Sequence, residues 1–373
     1  MTTEYNIKWT VYCGRLFFLS VQVLKTRNLF CWETLLHYLC NLRKVGLCQA
    51  FDINRKMRVI DYIESSEKTA FSFEVLPPLK GTGTGKLFGN IDRLMEFNPG
   101  YINITTHHSE PVYQDVGNGM YRLGTIRRRP GTVAVATAIH HRYGVPVVPH
   151  ILCNGYTLED TEYVLIDLQL SGITDILVLR GDKCKGDANT VPAKCGNKNA
   201  IDLLRQVNRF NEGYFIDGTP MKERGERFSY GVACYPEKHE EAPNMESDLA
   251  VLKQKADEGA AYSVTQMFFD NSKYFAFVER ARAMGINIPI IPGIKPIHRL
   301  SQLNVLPKTF RVDLPGELVS EIERCKDDAA VAQVGREWGI KQCRELIEHG
   351  VPSIHFYTIN AFDSVYEIAK AIY

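Results

Sequence analysis

Residues 145–182 run VPVVPHILCNGYTLEDTEYVLIDLQLSGITDILVLRGD, and the apolar pattern changes period twice within them. Residues 145–152 form a nearly continuous apolar run rich in β-branched side chains, and Asp175–Leu179 is a second. Short runs without alternation predict parallel strands buried on both faces. Between them Thr157 opens a helix, with Asp160 three residues on in the capping-box position, and Gly172 stops it. The unit is strand, helix, strand. It sets His150 and the trio Arg180, Gly181 and Asp182 at the carboxyl ends of neighbouring strands, where α/β folds bind ligands.

The same punctuation recurs along the chain. Val59–Ser65 reads as a short helix, and strands are predicted at 70–76, 101–105, 145–153, 175–180, 228–235, 262–269, 288–294 and 353–358. Helical stretches lie between them, one opened by Asn244 or Ser247 and stopped at Gly259. Eight strands in regular alternation with helices predict an α/β fold, a (β/α)8 TIM barrel, above an open doubly wound sheet. Two long stretches, 109–143 with its Arg127, Arg128 and Arg129, and 184–227, follow strands two and four. They read as insertions over the active face, forming a lid. The run GTGTGK at 81–86 lacks the spacing of a phosphate loop and reads as a flexible loop.

Composition changes this picture little. The 373 residues carry a net charge of +1, with 45% hydrophobic and 23% charged positions, so nothing demands nucleic acid, a membrane or an acidic partner. Ten scattered cysteines without a CxxC pair argue against structural zinc and for free thiols in a reducing cytoplasm. Cys184 and Cys195 flank a polar loop, and the sequence leaves open whether they bridge. Residues 1–56 hold only three acids, Glu4, Glu33 and Asp52, and no apolar run of bilayer length. They read as a peripheral extension before a working start at Met57, with an organelle transit sequence as the alternative. Residues 57–373 are then one barrel domain.

Candidate chemistry gathers at one end of that barrel. Phe71 and Phe73 alternate with Ser72 and Glu74, which puts Glu74 on the interior face, where burial raises a carboxyl pKa. Thr105, His150, Arg180 with Asp182, Tyr235 with His239, Gln266 and Tyr357 also fall at strand ends. Each alone has a plain explanation: His150 after Pro149 can be a core histidine, and Gln266 can cap a neighbouring backbone. Together they point to a ligand site.

FSFEVLPP (71–78), PHILC (149–153), LRGD (179–182), ACYPEKHEEA (233–242), SVTQMFFD (263–270), IPGIKPI (291–297) and HFYT (355–358) occur in an order and spacing that resemble the methylenetetrahydrofolate reductase family, from about residue 65 onward. The resemblance implies an FAD-dependent oxidoreductase. It would reduce 5,10-methylenetetrahydrofolate to 5-methyltetrahydrofolate by ping-pong hydride transfer and so feed methionine synthesis. NADH, NADPH or a redox partner is left open as donor, and a homo-oligomer is expected. By the same resemblance Thr105, His150, Arg180, Gly181, Asp182, Ala200, Tyr235, His239, Asp248 and Lys255 match positions that hold the flavin. Glu74 matches the general acid, Asp182 a second catalytic carboxylate beside the pterin, and Gln266, Gln302 and Tyr357 the substrate pocket.

Two departures qualify the match. Ala361 stands where the family usually has a substrate-contacting arginine, which leaves Lys295 or Arg127–Arg129 as substitutes, and Thr106, His107 and His108 replace Tyr-Gly-Ala. The chain ends after the last strand and helix, so the appended regulatory domain of eukaryotic relatives, and inhibition through it, are not expected. Three rivals compete with the reading. A proline-dehydrogenase-like flavin barrel would lack LRGD and YPEKH, and a metal hydrolase using His107, His108, His150 and Asp182 would lack its usual HxH pair. The third is a non-catalytic flavin or folate binding barrel acting with a partner protein.

Overall fold

The computed structural model describes residues 57–107, 109–181 and 195–373. The expectations placed on residues 1–56, His108, Asp182 and Cys184 lie outside them. Parallel strands β1 (Ala70–Val75), β2 (Tyr101–Ile104), β5 (Val147–Leu152), β6 (Asp175–Leu179), β7 (Ser229–Cys234), β8 (Tyr262–Thr265), β9 (Ile290–Ile291), β10 (Gly293–Ile294) and β11 (Ser353–Tyr357) make one sheet, in the order β10-β11-β1-β2-β5-β6-β7-β8-β9. β9 and β10 are halves of one strand parted at Pro292, which has no N–H to donate to a ladder. Ser263 on β8 pairs with Ile290 on one side of this break, and Gly293 pairs with His355 on β11 on the other. The sheet thus closes on itself as the expected eight-stranded α/β barrel.

Local signals hold where they were clearest. Thr157 and Asp160 form the capping box of helix Leu158–Leu170, and Gly172 follows it with φ 70°. Asn244 caps helix Met245–Asp257, and Gly259 turns the chain at φ 101°. Strands end earlier than predicted, at Thr265 rather than 269 for β8, because their last residues leave the ladder. Met267 and Phe269 pack instead with Ile297, Leu306 and Leu318 in a satellite core. Two readings are corrected. Helix Gly85–Leu94 opens within GTGTGK, so that run is not all loop. The supposed insertions include ordinary barrel helices, Thr132–Tyr143 and Ala200–Asn211. The first was obscured by its β-branched Thr132, Val133, Val135 and Thr137. What is added after β2 is an antiparallel hairpin, β3 (Glu110–Gly117) with β4 (Met120–Ile126). Among the described residues no helix is long and apolar enough to cross a membrane.

The amino-terminal mouth is plugged. Val59 and Ile63 of helix Val59–Ser65 pack with Tyr101, Val148, Leu177, Tyr262, Val264 and Ile291 inside the barrel. Val59 N–H donates to Asp175 Oδ1 at 3.3 Å, and burial pushes the Asp175 carboxyl up to about 7. Between the unfolded value near 4 and that folded value the native state binds the extra proton, so stability falls as pH rises through this window. At ~1.4 kcal/mol per pKa unit the loss is on the order of 2–4 kcal/mol. Asp175→Asn keeps the acceptor for Val59 and removes the titration. It is expected to flatten the melting temperature between pH 4 and 8 and to exceed the parent at pH 8; an unchanged slope would argue against this assignment.

Candidate active site

The carboxyl ends of the strands gather most of the described sequence-predicted residues into two groups. The first surrounds Glu74, on the interior face of β1 and 5% exposed. Its register partners are Asn103 on β2 and Tyr357 on β11. Tyr357 donates to the Thr265 carbonyl at 2.5 Å, and its phenol is pushed up by burial and then by the Glu74 charge. Thr358 Oγ1 donates to the Glu74 carbonyl. Lys295 follows β10, donates to the Ile359 carbonyl at 3.1 Å, and feels Glu74 as a charge partner. Burial lowers the Lys295 ammonium, and Glu74 opposes that shift.

The second group lies across the mouth on β6 and β7. Arg180 pairs with Glu241, and Gly181 takes φ 90°, with a Cβ there reaching within 3.2 Å of Asn154. Tyr235 meets the His239 ring edge-on at 4.6 Å between centroids. His239 N–H donates to Asp248 Oδ2 at 2.8 Å, and its Nδ1 accepts from Glu241 N–H at 3.1 Å, which leaves the proton on Nε2. Burial lowers the His239 imidazole, and the Arg180 charge adds to this. Lys255 Nζ donates to the Ala233 carbonyl at 2.9 Å. Its ammonium is lowered first by burial, against the pull of Cys234 and Asp248, with Arg180 adding to the fall.

Thr105 and His150 stand between the groups. Thr105 Oγ1 donates to the Val75 carbonyl at 3.3 Å. His150 Nε2 is 3.3 Å from Asn103 Nδ2, and burial holds the imidazole down at about 3, so it is neutral at ordinary pH. Asn103 is fully buried, and its Oδ1 has no hydrogen-bond partner among the described residues. Asn103 escaped the sequence reading, although the alternation of Tyr101, Asn103 and Thr105 marks it as interior. Thr106 was read as a family departure; its hydroxyl bonds the His150 carbonyl.

Three predicted residues also have local roles in the fold. Gln266 Oε1 accepts from the next residue's N–H at 3.0 Å, and Gln302 Oε1 accepts from His298 and Arg299 N–H, so both amide oxygens serve the local backbone. Ala200 is the buried first residue of its helix, so a ligand there would meet its methyl group or its backbone N–H, one of the helix-start donors without an intrahelical acceptor. A cavity of about 820 Å3 lies between helices Thr132–Tyr143 and Leu158–Leu170, and among its lining residues are His150, Thr106 and Arg127, one of the proposed substitutes for the missing arginine. Ala361 is buried at 3% exposure, and the Lys295 ammonium bonds the carbonyl two residues before it.

Comparison with known proteins bears on this arrangement. The profile of the family described as methylenetetrahydrofolate reductase matches residues 58–373. Methylenetetrahydrofolate reductase (NADH) 1 of Arabidopsis thaliana is 32% identical over 317 residues, covering 82% of this chain and 49% of that protein. The 5,10-methylenetetrahydrofolate reductase of Escherichia coli is 29% identical over 302 residues, 81% of this chain and 90% of that one. The chain thus spans about half the length of the Arabidopsis relative. A Clostridium thermocellum protein whose structure is described as binding two copies of 5-methyl-5,6,7,8-tetrahydrofolic acid superposes with a TM-score of 0.52 at 15% identity, covering 84% of this chain and 99% of that one. At that identity the likeness speaks for the barrel alone. The profile match over the whole barrel, with Glu74, Arg180, Gly181 and the YPEKH string at one strand edge, shows that the chain belongs to the methylenetetrahydrofolate reductase family.

Proposed function

We propose that the chain reduces 5,10-methylenetetrahydrofolate to 5-methyltetrahydrofolate, with FAD as bound cofactor and NADH or NADPH as donor, in two half-reactions that use the mouth in turn. The observation that carries this reading is the pairing of a buried acid, Glu74, with a cationic cluster of Arg180 and Lys255 across one barrel mouth. The second group fits a flavin dinucleotide. The Lys255 ammonium is enclosed with, among the described residues, a single carbonyl partner, a donor set that suits a pyrophosphate, and Gly181 keeps the backbone open beside Asn154. When bound, the flavin supplies hydride storage between donor and folate.

The remaining chemistry falls to the chain's own groups. Neutral His150 and Thr105 would hydrogen-bond polar cofactor atoms without adding charge. Glu74 would protonate N10 of the folate as the five-membered ring opens, and its carboxylate would then stabilise the cation left behind. Asp182, proposed beside the pterin, and Gln266, Gln302 and Tyr357, proposed to contact substrate, rest on the family resemblance. A cytoplasmic homo-oligomer that feeds methionine synthesis remains part of the same proposal.

An anaerobic absorbance trace tests it. A flavin band should bleach with NADH or NADPH and return on addition of methylenetetrahydrofolate. Bleaching without return would leave a flavin or folate binding barrel that works with a partner protein. A protein that takes up no FAD on reconstitution would end the cofactor assignment.

A further inference from the structure

The acid proposed to open the folate ring does not sit alone. β10, β11 and β1 are consecutive neighbours in the sheet, and across them lie Lys295, then Tyr357 to Ile359, then Glu74. The Lys295 ammonium is anchored on the Ile359 carbonyl at 3.1 Å, and Thr358 ties the same segment to the Glu74 carbonyl. Lys295 therefore stands across β11 from Glu74, at the height of the carboxyl and within reach of its charge. The titratable groups that face it are Glu74 from β1, Tyr357 from β11 and His298 on its own segment; Tyr357 is protonated and bonded to Thr265, and the His298 imidazole is lowered by burial and by Lys295 itself.

A general acid beside a cation presents a problem. Burial favours the neutral carboxyl, whereas a neighbouring ammonium favours the carboxylate. If Glu74 rests ionised, it holds no proton to give.

We propose that Lys295 is the proton source for the folate half-reaction, handing its proton to Glu74 as the substrate closes over the pair. The inference rests on the reading of Glu74 as the acid that opens the folate ring. An Nζ–H bond breaks as an Oε–H bond forms. That bond then breaks as N10–H forms, and the N10–C11 bond opens to leave the N5=C11 iminium ion. One positive charge has moved from Lys295 to the substrate, and the carboxylate is restored beside the iminium. Neutral Lys295 no longer repels the new cation, and it regains its proton from water after product leaves. Because Lys295 acts through Glu74, it is a positioning residue. A rival use, an anchor for the carboxylate tail of the folate, follows from its place near Ala361 and predicts a different result.

Lys295→Met, Lys295→Arg and the parent holoenzyme separate these cases in single-turnover half-reactions across pH. Flavin reduction by the nicotinamide should be unchanged in all three. Reoxidation by methylenetetrahydrofolate should slow about 10-fold to 100-fold in Lys295→Met. Its alkaline limb should move down by about one pH unit or more, because the proton then resides on a carboxyl rather than an amine. Lys295→Arg keeps the charge but cannot release a proton, so it should not restore the rate. Infrared spectra at neutral pH give a readout independent of turnover. A protonated carboxyl band should appear in Lys295→Met and vanish in the double variant with Glu74→Gln.

Rescue by arginine, an unmoved alkaline limb, or a raised KM with unchanged kcat would overturn the proton-source role, the last in favour of a tail anchor. Failure of the parent itself to reoxidise with folate would instead remove the reading on which the inference stands.

Discussion

Glu74→Gln is expected to bind flavin and to be reduced by the nicotinamide within about twofold of the parent, while folate-driven reoxidation falls about 10²–10⁴-fold, the range for loss of a general acid. Glutamine keeps the shape of the side chain in a site that is 5% exposed, so the barrel should persist. What it lacks is the exchangeable proton. It also leaves Lys295 as a buried ammonium without the charge that opposes its desolvation. Some stability should go with it, on the order of 1–3 kcal/mol, because removing one partner strands the other. Adding Lys295→Met should recover that stability and none of the activity. Stopped-flow measurement of each half-reaction, with a thermal melt on the same samples, decides the matter. Equal loss in both half-reactions would place Glu74 in the flavin site or in the fold, not in ring opening.

The barrel was legible because its strands are short, two-sided apolar runs with polar residues at one end, a pattern a parallel barrel requires and few other folds share. Glu74 could be found by the same logic: Phe71 and Phe73 point out to the helices, so Ser72 and Glu74 must point in, and Ser72 does bond His355 at 2.9 Å inside. Tertiary pairing was not legible. That Lys295 comes to face the Glu74 charge across β11 depends on β11 returning between β10 and β1 from more than 270 residues along the chain, a closure no local pattern records. Gln266 and Gln302 carry a local role that was equally illegible. Their spacing matched substrate positions, and their carbonyl oxygens also accept from nearby backbone N–H groups, which sequence similarity cannot reveal. Helix Thr132–Tyr143 was absorbed into an insertion because β-branched residues weaken the helical signal.

Gly335→Ala should destabilise the protein strongly, while the same change one turn later, at Gly339, should do little. Both glycines lie buried on helix Asp328–Glu348, where alanine is the better helix former by about 1 kcal/mol. The surroundings decide the sign. A Cβ at 335 would stand 1.9 Å from the Ile297 carbonyl oxygen and 2.8 Å from its carbon, backbone that cannot step aside without moving the chain. A Cβ at 339 would meet only the end of the Ile368 side chain, 2.6 Å from Cδ1, which can change rotamer. Overpacking against backbone costs ~2–4 kcal/mol, a fall in melting temperature on the order of 5–10 °C, whereas Gly339→Ala should stay within ~1 kcal/mol of the parent. The clash also has a functional direction. Ile297 is two residues from Lys295 and next to His298, whose N–H is held by Gln302 Oε1 at 2.8 Å. Pushing this segment away from the helix moves the Lys295 ammonium relative to Glu74 and leaves Arg180 and Lys255, on the far side of the mouth, in place. Folate reoxidation should therefore slow in Gly335→Ala below its melting point, with flavin reduction retained. A Gly335→Ala protein that melts with the parent would show that helix and strand are not in the contact described, and the route from this glycine to the site would fall with it.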